Sequence, residues 1–303
     1  GREIPMDLTQ AGSGRMAFTQ REPIGPVVAV SAFNHPLNLI VHQVAPAVAV
    51  GCPVIVKPAN DTPLSARTFV DILYEAGLPQ EWCHFAVTDR DTAEKLVTDG
   101  RVAFFSFIGS AGVGWMLRSK LAPGVRCALE HGGAAPVIVD KGANLDAMIP
   151  NLTKGGFYHS GQVCVSVQRV FAPKAEAEEI AARIAEAAGK LVVGNAISET
   201  TECGPLIRTG EVDRVASWIE EARVGGAKVM VGGEKLGNTA YAPTVLLEPA
   251  ADAKVSTSEI FGPAVCVYGY DTLDEAIARS NALPFAFQAS VFTGRLDTAM
   301  KAV

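Results

Sequence analysis

Between Pro26 and about Gly133 the chain alternates short runs that are apolar throughout with longer stretches that have a helical period. Strands that are apolar on both faces are typical of a parallel sheet covered by helices on each side. The pattern therefore predicts a doubly wound α/β domain, whose ligands bind at the carboxyl ends of the strands. The five predicted strands are "PVVAVSAF", "PVIVKPA", "WCHFAVT", "VAFFSFIG" and "VRCALEHGG".

A second α/β pattern begins near Ala134, with strands "PVIVD" and "VSVQRVFAP", a helix from about Leu145 and a long Ala/Glu-rich helix from Glu176 to Lys190. The first twenty residues predict two short strands around an Ala-Gly-Ser-Gly turn, with too few apolar side chains for a core of their own. We therefore expect three parts: a hairpin arm over residues 1–20, a first α/β domain over 21–133 and a second over 134–303.

Composition agrees with a globular protein, because 49% of the residues are hydrophobic and 19% are charged. The net charge is −6, and the 26 Lys and Arg form no block or stripe, which argues against nucleic acid or an anionic membrane as a partner. A membrane span takes about 20 apolar residues, and the best candidate, "LNLIVHQVAPAVAVG", is interrupted by His42 and Pro46.

The six cysteines are widely spaced and include no CxxC pair, which favours reduced thiols in the cytoplasm over a disulfide framework. We predict no metal site. The chain begins at Gly1 without an initiator Met and ends without a helix stop signal. We therefore expect that both ends of the protein are incomplete, and a targeting sequence before Gly1 stays open.

Polar side chains follow several predicted strands. Asn34 follows the first strand, where its amide would either donate to an oxyanion or cap a turn. Lys57 ends the second strand, as a contact for a ribose or phosphate or as a solvated lysine. Glu130 ends the fifth strand, as a partly desolvated general base or as a surface carboxylate in a turn. Taken one at a time, these residues leave both interpretations open.

Glycines at positions 109, 112 and 114 lie between a predicted strand and helix, in "FFSFIGSAGVGWML". Their GxxGxG spacing differs from the GxGxxG dinucleotide fingerprint. Their position favours phosphate binding, because a helix N-terminus offers free N–H groups and the positive end of the helix dipole. The alternative is a helix capped by Ser110, with glycines that allow close packing on the sheet.

The stretch "HSGQVCVSVQRV" surrounds Cys164. Alternating valines over Val163–Val170 predict a strand, whereas Gly161 and Gln162 predict a turn. Cys164 is then either a buried apolar thiol or a nucleophile that the turn presents, which needs a polar or positive setting to form the thiolate.

Taken together and in order, these blocks resemble the NAD(P)-dependent aldehyde dehydrogenase superfamily. The matching blocks are "REPIGPVVAVSAFNHPLN", "VIVKPANDTPLSA", "FIGSAGVG", "LEHGG", "GQVC" and "EIFGPAVCVY". The resemblance runs from about Arg21 to the end, and the preceding hairpin is similar to the family's oligomerisation arm. It implies a Rossmann-like cofactor domain whose N-terminal part is missing, a catalytic domain whose C-terminal part is missing, and a homodimer or homotetramer. We expect such a fragment to be unstable, with exposed apolar surface.

By this resemblance, Cys164 is the nucleophile that forms a hemithioacetal and then a thioester with an aldehyde. Asn34 and the backbone N–H of Cys164 would hold the oxyanion, hydride would pass to NAD or NADP, and Glu130 would activate the water that releases the acid. The resemblance assigns a further set of residues to cofactor binding: Phe33, Lys57, Asn60, Gly109, Ser110, Gly114, His131, Glu259 and Phe261.

Within that set, Lys57 and Glu259 align with residues that bind ribose hydroxyls, Phe261 with a residue beside the nicotinamide, and Ser110 with a pyrophosphate contact. NAD-selective members of the family have Glu at the position of Asn60, so we predict that NAD and NADP are both accepted.

Three further departures from the family pattern remove no catalytic group. Ile108 stands where Thr is usual, Phe33 where Trp is usual and His131 where Leu is usual. They indicate a subfamily, and "GQVCVSVQRV" resembles members that act on small polar aldehydes.

Two other functions stay open. A CoA-acylating semialdehyde dehydrogenase passes the acyl group to a thiol, and relatives with that chemistry often lack the general-base Glu, so Glu130 favours hydrolysis. A catalytically silent structural protein on the same fold is the second alternative, and the presence of Asn34, Glu130 and Cys164 together argues against it.

Overall fold

All five strands predicted between Pro26 and Gly133 are present, and they pair in one sheet. The computed structural model describes residues 1–285 and 287–302, and the chain divides into two units, Gly1–His131 and Gly132–Val303. The first unit contains β3 (Val27–Val30), α1 (Pro36–Ala49), β4 (Val54–Lys57), α2 (Pro63–Glu75), β5 (Cys83–Phe85), α3 (Arg90–Thr98), β6 (Phe104–Gly109), α4 (Ala111–Ser119) and β7 (Arg126–His131).

The strand order of this sheet is β5-β4-β3-β6-β7, and all four neighbouring pairs are parallel. Alternate residues of one strand serve two cores. Val27 packs with Ile40 of α1 and Val70 of α2, whereas Val28 packs with Val97 of α3 and Leu117 of α4. Helices therefore cover both faces of the sheet, which confirms the predicted doubly wound parallel arrangement.

Local sequence signals set the helix ends. Pro63 is the first residue of α2, where its missing N–H costs no helical hydrogen bond. Gly77, beyond the end of α2, has a φ of +96°, a conformation that favours glycine. The Asp89 carboxylate accepts a 2.7 Å hydrogen bond from the Thr92 N–H and caps α3.

The N-terminal residues form the predicted hairpin. Strands β1 (Glu3–Ile4) and β2 (Ala17–Phe18) are antiparallel, with Glu3 opposite Phe18. Leu8, Met16 and Phe18 are exposed. The hairpin therefore leaves large apolar side chains uncovered by the described residues.

The second unit has a six-stranded sheet of order β10-β11-β12-β9-β8-β13. Within this sheet, β10–β11 is the only antiparallel pair among the strands that the structure describes. Its elements are β8 (Pro136–Val139), α5 (Leu145–Phe157), β9 (Arg169–Pro173), α6 (Ala177–Gly189), α7 (Thr209–Val224), β10 (Lys228–Val231), β11 (Thr244–Leu247), α8 (Lys254–Thr257), β12 (Ala264–Tyr270), α9 (Leu273–Ser280), β13 (Ser290–Phe292) and α10 (Leu296–Ala302).

This sheet also has two apolar cores. Val170 packs with residues of α5 and α6, and its neighbour Phe171 packs with Ile219 of α7. Strand β9 is central in the sheet and is apolar on both faces, which agrees with the predicted α/β architecture of this half of the chain.

One predicted strand begins later than its valines indicate. The residues before β9 form a turn, in which the Ser166 N–H donates to the Val163 carbonyl at 3.0 Å. The next residue, Val167, donates its N–H to the Gly155 carbonyl at the end of α5. The prediction of a strand over Val163–Val167 is therefore wrong, because the chain folds back on α5 before it enters the sheet.

Candidate active site

Cys164 follows a strained turn of the second unit. His159 and Ser160 have φ values of 49° and 56°, in the left-handed region that residues with a Cβ rarely adopt, and Gly161 follows at 69°. A Cβ on Gly161 would stand 2.0 Å from the Gly262 carbonyl oxygen. Because left-handed non-glycine residues cost about 1–3 kcal/mol each, surrounding contacts must hold this turn in place.

Two buried polar side chains supply those contacts. The Ser160 hydroxyl donates to the Gly204 carbonyl at 2.5 Å. The Gln162 amide donates to the carbonyls of His159 and Pro205, each at 3.3 Å, and accepts the Ile207 N–H at 2.9 Å. Cys164 itself is half-buried in the turn that follows.

A second contact to the cysteine comes from the glycine pair that follows β7. A Cβ on Gly133 would stand 1.8 Å from the Cys164 carbonyl oxygen, so only glycine fits there without a shift of the backbone. The Gly133 N–H donates to the Glu259 carboxylate at 2.9 Å. Gly133 therefore connects the turn that carries Cys164 with the segment that carries Glu259.

Glu259 lies in an irregular segment between α8 and β12. Burial raises the pKa of its carboxyl, and the Gly133 N–H and the Arg214 charge act in the opposite direction. Two residues on, Phe261 has a φ of 47°. The structure thus brings Cys164, Glu259 and Phe261 into neighbouring parts of the second unit.

In the first unit, Lys57 is the last residue of β4. Its ammonium donates to the Pro58 carbonyl at 3.0 Å and to the Asn60 side-chain oxygen at 2.8 Å. The Asn60 amide nitrogen donates to the Thr88 carbonyl at 3.3 Å. Burial lowers the pKa of Lys57, and the charge of Asp61 partly offsets this effect. Asn60 is therefore a direct neighbour of the lysine charge.

The glycine loop joins β6 to α4. A Cβ on Gly109 would stand 2.7 Å from the Phe107 ring, and one on Gly114 would stand 3.0 Å from that ring and 3.2 Å from His131. Close packing therefore accounts for these two glycines. Gly112 is different, because a Cβ there would meet no described atom within 4 Å. Within the described chain, the Ser110 side chain makes no capping hydrogen bond to α4.

Glu130 and His131 are the last residues of β7, opposite Ile108 and Gly109 of β6. The His131 ring meets Trp115 edge-on, with ring centroids 5.1 Å apart. Glu130 is exposed among the described residues, which agrees with the second of its two interpretations, a carboxylate at the surface. The reason is its place on an edge strand of this sheet.

Glu130 lines a groove of about 440 Å³ on one face of this sheet, together with Gln43 of α1. Gln43 is buried, and its amide donates to the carbonyls of Val30 and Ser106 at 3.1 and 3.0 Å. Its side-chain oxygen has no hydrogen-bond partner among the described residues. That oxygen is itself buried, so it is not open to the groove.

The remaining candidates of the first unit lie at the same edge of its sheet. Phe33 and Asn34 are half-buried in the loop between β3 and α1. The carboxyl ends of parallel strands lie at one edge of a sheet. Two candidates, Lys57 and Glu130, lie at the ends of β4 and β7, and two loops, that of Asn34 and the glycine loop, directly follow β3 and β6. These candidates therefore lie at or just after the carboxyl ends of their strands, as their positions in the sequence predict.

The sequence did not indicate the side chains that support the backbone of the candidate site without belonging to the candidate catalytic or binding residues. Gln162 was interpreted only as part of a turn, and no local pattern indicated Gln168 or Arg214. Among the described residues, no group of three or more His, Cys, Asp or Glu is placed to hold a metal ion. Within the same residues, no helix is long and apolar enough to cross a membrane.

These features define a class of protein: a doubly wound α/β domain followed by a second α/β unit in which a cysteine follows a strained turn. The model of the aldehyde dehydrogenase family matches residues 1–303, and the chain belongs to this family.

Individual relatives agree with the family. The 3-sulfolactaldehyde dehydrogenase of Priestia megaterium is 39% identical over 304 residues, which cover 100% of this chain and 63% of that protein. The crystal structure of aldehyde dehydrogenase 21 from Physcomitrella patens, in complex with the reaction product succinate, has a TM-score of 0.94 at 36% identity and covers 100% of this chain and 63% of its own. This chain therefore spans about three-fifths of the length of these relatives.

Two further structures contain a cofactor. The Mycobacterium tuberculosis aldehyde dehydrogenase complexed with NAD+ has a TM-score of 0.89 at 32% identity, over 93% of this chain and 59% of that one. The glyceraldehyde-3-phosphate dehydrogenase of Methanocaldococcus jannaschii complexed with NADP has a TM-score of 0.92 at 30% identity, over 99% and 65%. Proteins similar to this chain thus bind NAD or NADP.

Proposed function

We propose that the protein containing this chain oxidises an aldehyde to a carboxylic acid with NAD+ or NADP+. The observation that carries the proposal is the strained turn at His159–Gly161, which is followed by Cys164. Gly133 packs against Cys164 and bonds to Glu259, so it brings the cysteine and the segment of Glu259 together. Backbone strain of this kind is concentrated at functional sites, where surrounding contacts maintain it.

The proposed chemistry begins with attack of the Cys164 thiolate on the aldehyde carbon, which gives a hemithioacetal. The Asn34 amide and the Cys164 backbone N–H donate to its oxyanion, and preorganised donors of this kind contribute about 3 kcal/mol each. Bound NAD(P)+ supplies the hydride acceptor, so that Cys164 is left as a thioester. Glu130 then takes a proton from water as the water attacks the thioester carbon, and the acid leaves with the Cys164 thiol restored.

The first unit fits a dinucleotide at the carboxyl edge of its sheet. The first turn of α4 has open space at Gly112, where the backbone N–H groups would meet a pyrophosphate together with Ser110. Gly109, Gly114 and His131 would shape this loop through their packing. Lys57 and Asn60 would meet the adenosine ribose. A neutral amide at Asn60 tolerates a 2′-phosphate better than a carboxylate does, which supports the use of both NAD and NADP.

In the second unit, Glu259 and Phe261 would meet the nicotinamide ribose and ring. Phe33, next to Asn34 in the first unit, is proposed as a further contact to the cofactor. Residues 21–133 are therefore proposed as the cofactor domain and residues 134–303 as the catalytic domain.

Residues 1–20 are proposed as an oligomerisation arm, because the hairpin exposes Leu8, Met16 and Phe18. A homodimer or homotetramer in the cytoplasm would cover these side chains. Sedimentation equilibrium checks this, and a monomer at micromolar concentration would contradict it.

For the substrate we propose a small polar aldehyde. The similar Priestia protein is named for 3-sulfolactaldehyde, and the similar Physcomitrella structure holds succinate, so both concern small acids. Transfer of the acyl group to CoA is less well supported, because Glu130 is present to activate water.

The test is an assay of the full-length protein with NAD+ and NADP+ across small aldehydes, with and without CoA. We expect reduction of both cofactors without CoA and none by Cys164→Ser. Turnover that depends on CoA, or a fully active Cys164→Ser variant, contradicts the proposal.

A further inference from the structure

Gln168 lies four residues after Cys164, directly before β9, and only 4% of its surface is exposed. Its side-chain oxygen accepts the Ile260 N–H at 2.8 Å. Its side-chain nitrogen donates to the Ser258 carbonyl at 2.7 Å and to the Val255 carbonyl at 3.2 Å. One buried amide thus makes three hydrogen bonds to the backbone on both sides of Glu259.

The segment that Gln168 holds has no strand partner of its own. It runs from Ser258 to Pro263, between α8 and β12, and Phe261 within it has a left-handed φ of 47°. On the other side, the Arg214 guanidinium donates to the Ile260 carbonyl at 2.7 Å. The N–H and the C=O of Ile260 are therefore each held by a side chain, between the two residues proposed to meet the nicotinamide riboside.

The same part of the chain also supports the cysteine turn. The Gln168 carbonyl accepts the Cys266 N–H at 2.8 Å and so fixes β9 against β12. Gly161 in the turn approaches Gly262 in the segment so closely that a Cβ would overlap it. Gln168 is thus placed where a change moves the segment of Glu259 and Phe261 relative to Cys164.

We propose that Gln168 is a positioning residue for hydride transfer: by holding Ser258 and Ile260 it places Glu259 and Phe261 for the nicotinamide half of the cofactor. This inference rests on the proposed function. It assigns Gln168 to cofactor binding and hydride transfer, and not to the reactivity of the Cys164 thiol.

Gln168→Met is the main variant, because it retains the length of the side chain and removes all three hydrogen bonds. Tyr270→Phe is the matched control: Tyr270 is also buried, it donates one 2.8 Å hydrogen bond to the Val139 carbonyl, and it ends β12 away from the segment. Both variants are made in the full-length protein, and folding is checked by thermal unfolding.

Three quantities are measured. The first is the dissociation constant of NADH and NADPH by fluorescence, and the second is the KM and kcat of aldehyde oxidation. The third is the cofactor-free hydrolysis of 4-nitrophenyl acetate, in which Cys164 attacks the ester, 4-nitrophenolate leaves, and water hydrolyses the acetyl thioester. That reaction involves no hydride transfer and no cofactor, and so reports on attack by the thiol and on hydrolysis of the thioester.

We expect Gln168→Met to weaken cofactor binding and to lower the oxidation rate by about tenfold or more, since displacements of order 1 Å cost up to ~100-fold. Ester hydrolysis should fall by less than about threefold, and Tyr270→Phe should leave all three quantities near wild type. If Gln168→Met does not fold, Gln168→Glu, which retains the acceptor for Ile260, takes its place in the same comparison.

The inference is overturned if oxidation and ester hydrolysis fall together, which marks a merely structural role, or if cofactor binding and oxidation are unchanged. Failure of the proposed function is distinct from both, because the wild-type protein would then reduce no cofactor with any aldehyde.

Discussion

The backbone N–H of Gly133 donates a 2.9 Å hydrogen bond to the carboxylate of Glu259. The same glycine lies so close to Cys164 that a Cβ would stand 1.8 Å from its carbonyl oxygen. One residue without a side chain therefore connects the proposed nucleophile with a proposed cofactor contact. Three features meet at this point: the turn of Cys164, the glycine pair after β7 and the segment after α8.

Gly133→Ala tests this connection. The new Cβ must displace the Cys164 carbonyl, so we expect a loss of about 1–3 kcal/mol in the free energy of unfolding and a larger loss of aldehyde oxidation. Gly210→Ala is the control, because Gly210 is in α7 and a Cβ there meets no described atom within 4 Å. Urea denaturation and the oxidation assay compare the two; equal behaviour of both variants would show that the close approach is unimportant.

Two glycines of the glycine loop, which joins β6 to α4, allow an effect on packing to be distinguished from an effect on cofactor binding. Gly109→Ala, in β6, puts a Cβ 2.7 Å from the Phe107 ring, and should lower the free energy of unfolding by about 1–3 kcal/mol. Gly112→Ala meets open space, so we expect unchanged stability but a raised KM for NAD+ and NADP+, because the Cβ stands where the pyrophosphate is proposed to bind. A Gly112→Ala variant with the wild-type KM would remove the glycine loop from the cofactor site.

The buried carboxyl of Glu259 should make the free energy of unfolding of the protein depend on pH. Burial raises the pKa of this carboxyl above its ordinary 4.5, so the folded state holds the proton more tightly than the unfolded state. Its contribution to stability is therefore greatest at low pH and is lost as the pH rises from the unfolded pKa through the raised folded pKa. Glu259→Gln retains an acceptor for Gly133 but does not ionise.

We expect the stability of Glu259→Gln relative to wild type to increase across this range and to level off above it. Urea denaturation of both proteins between about pH 4 and pH 8 measures the difference. A difference that does not change with pH would mean that the carboxylate is not destabilised by burial.

Asn60→Glu tests cofactor choice. The carboxylate would stand beside the Lys57 ammonium, which now bonds to the Asn60 oxygen, and would repel a 2′-phosphate. We expect the ratio of kcat/KM for NAD+ to that for NADP+ to rise by about tenfold or more, because two like charges about 4 Å apart repel by about 1–4 kcal/mol and about 1.4 kcal/mol corresponds to a factor of ten. Asn60→Gln, which adds no charge, should leave the ratio within a few-fold of wild type.

Sequence patterns correctly predicted the strands and helix ends that are determined by residues close together in the sequence. The strands of the first unit are apolar on both faces because helices cover both faces of the sheet. The stretches "PVVAVSAF" and "VAFFSFIG" show this property directly, since they are apolar almost throughout. Ends such as those at Pro63 and Gly77 follow from backbone preferences of single residues. The valines before β9 led to a wrong prediction, because their alternation is typical of a strand. In the structure the Val167 N–H donates to the Gly155 carbonyl of α5 and not to a neighbouring strand.

The side chains that support the candidate site could not be predicted from the sequence, for a different reason. Gln168 bonds to Ile260, 92 residues away, and Arg214 bonds to the same residue from 46 residues away. No local periodicity or motif encodes such a pairing. The candidate catalytic residues could be predicted because the sequence blocks that carry them are short and contiguous, whereas the residues that hold these blocks are dispersed along the chain.

Partial exposure distinguishes Cys164 and Cys127 from the other four cysteines. Four of the six, Cys52, Cys83, Cys203 and Cys266, are buried. Burial raises the pKa of Cys83 to about 11 and that of Cys266 to about 12, so neither forms a thiolate at neutral pH. Cys127 is half-buried like Cys164, which makes it the natural control.

We therefore expect iodoacetamide at neutral pH to modify Cys164 first and to abolish aldehyde oxidation in step with that modification. Cys127→Ser should be inactivated at the wild-type rate, and an aldehyde substrate should slow the inactivation by occupying the thiol. Mass spectrometry of peptic fragments identifies the modified residue. Complete modification of Cys164 with oxidation intact would exclude it as the nucleophile, because an alkylated sulfur can form neither the hemithioacetal nor the thioester.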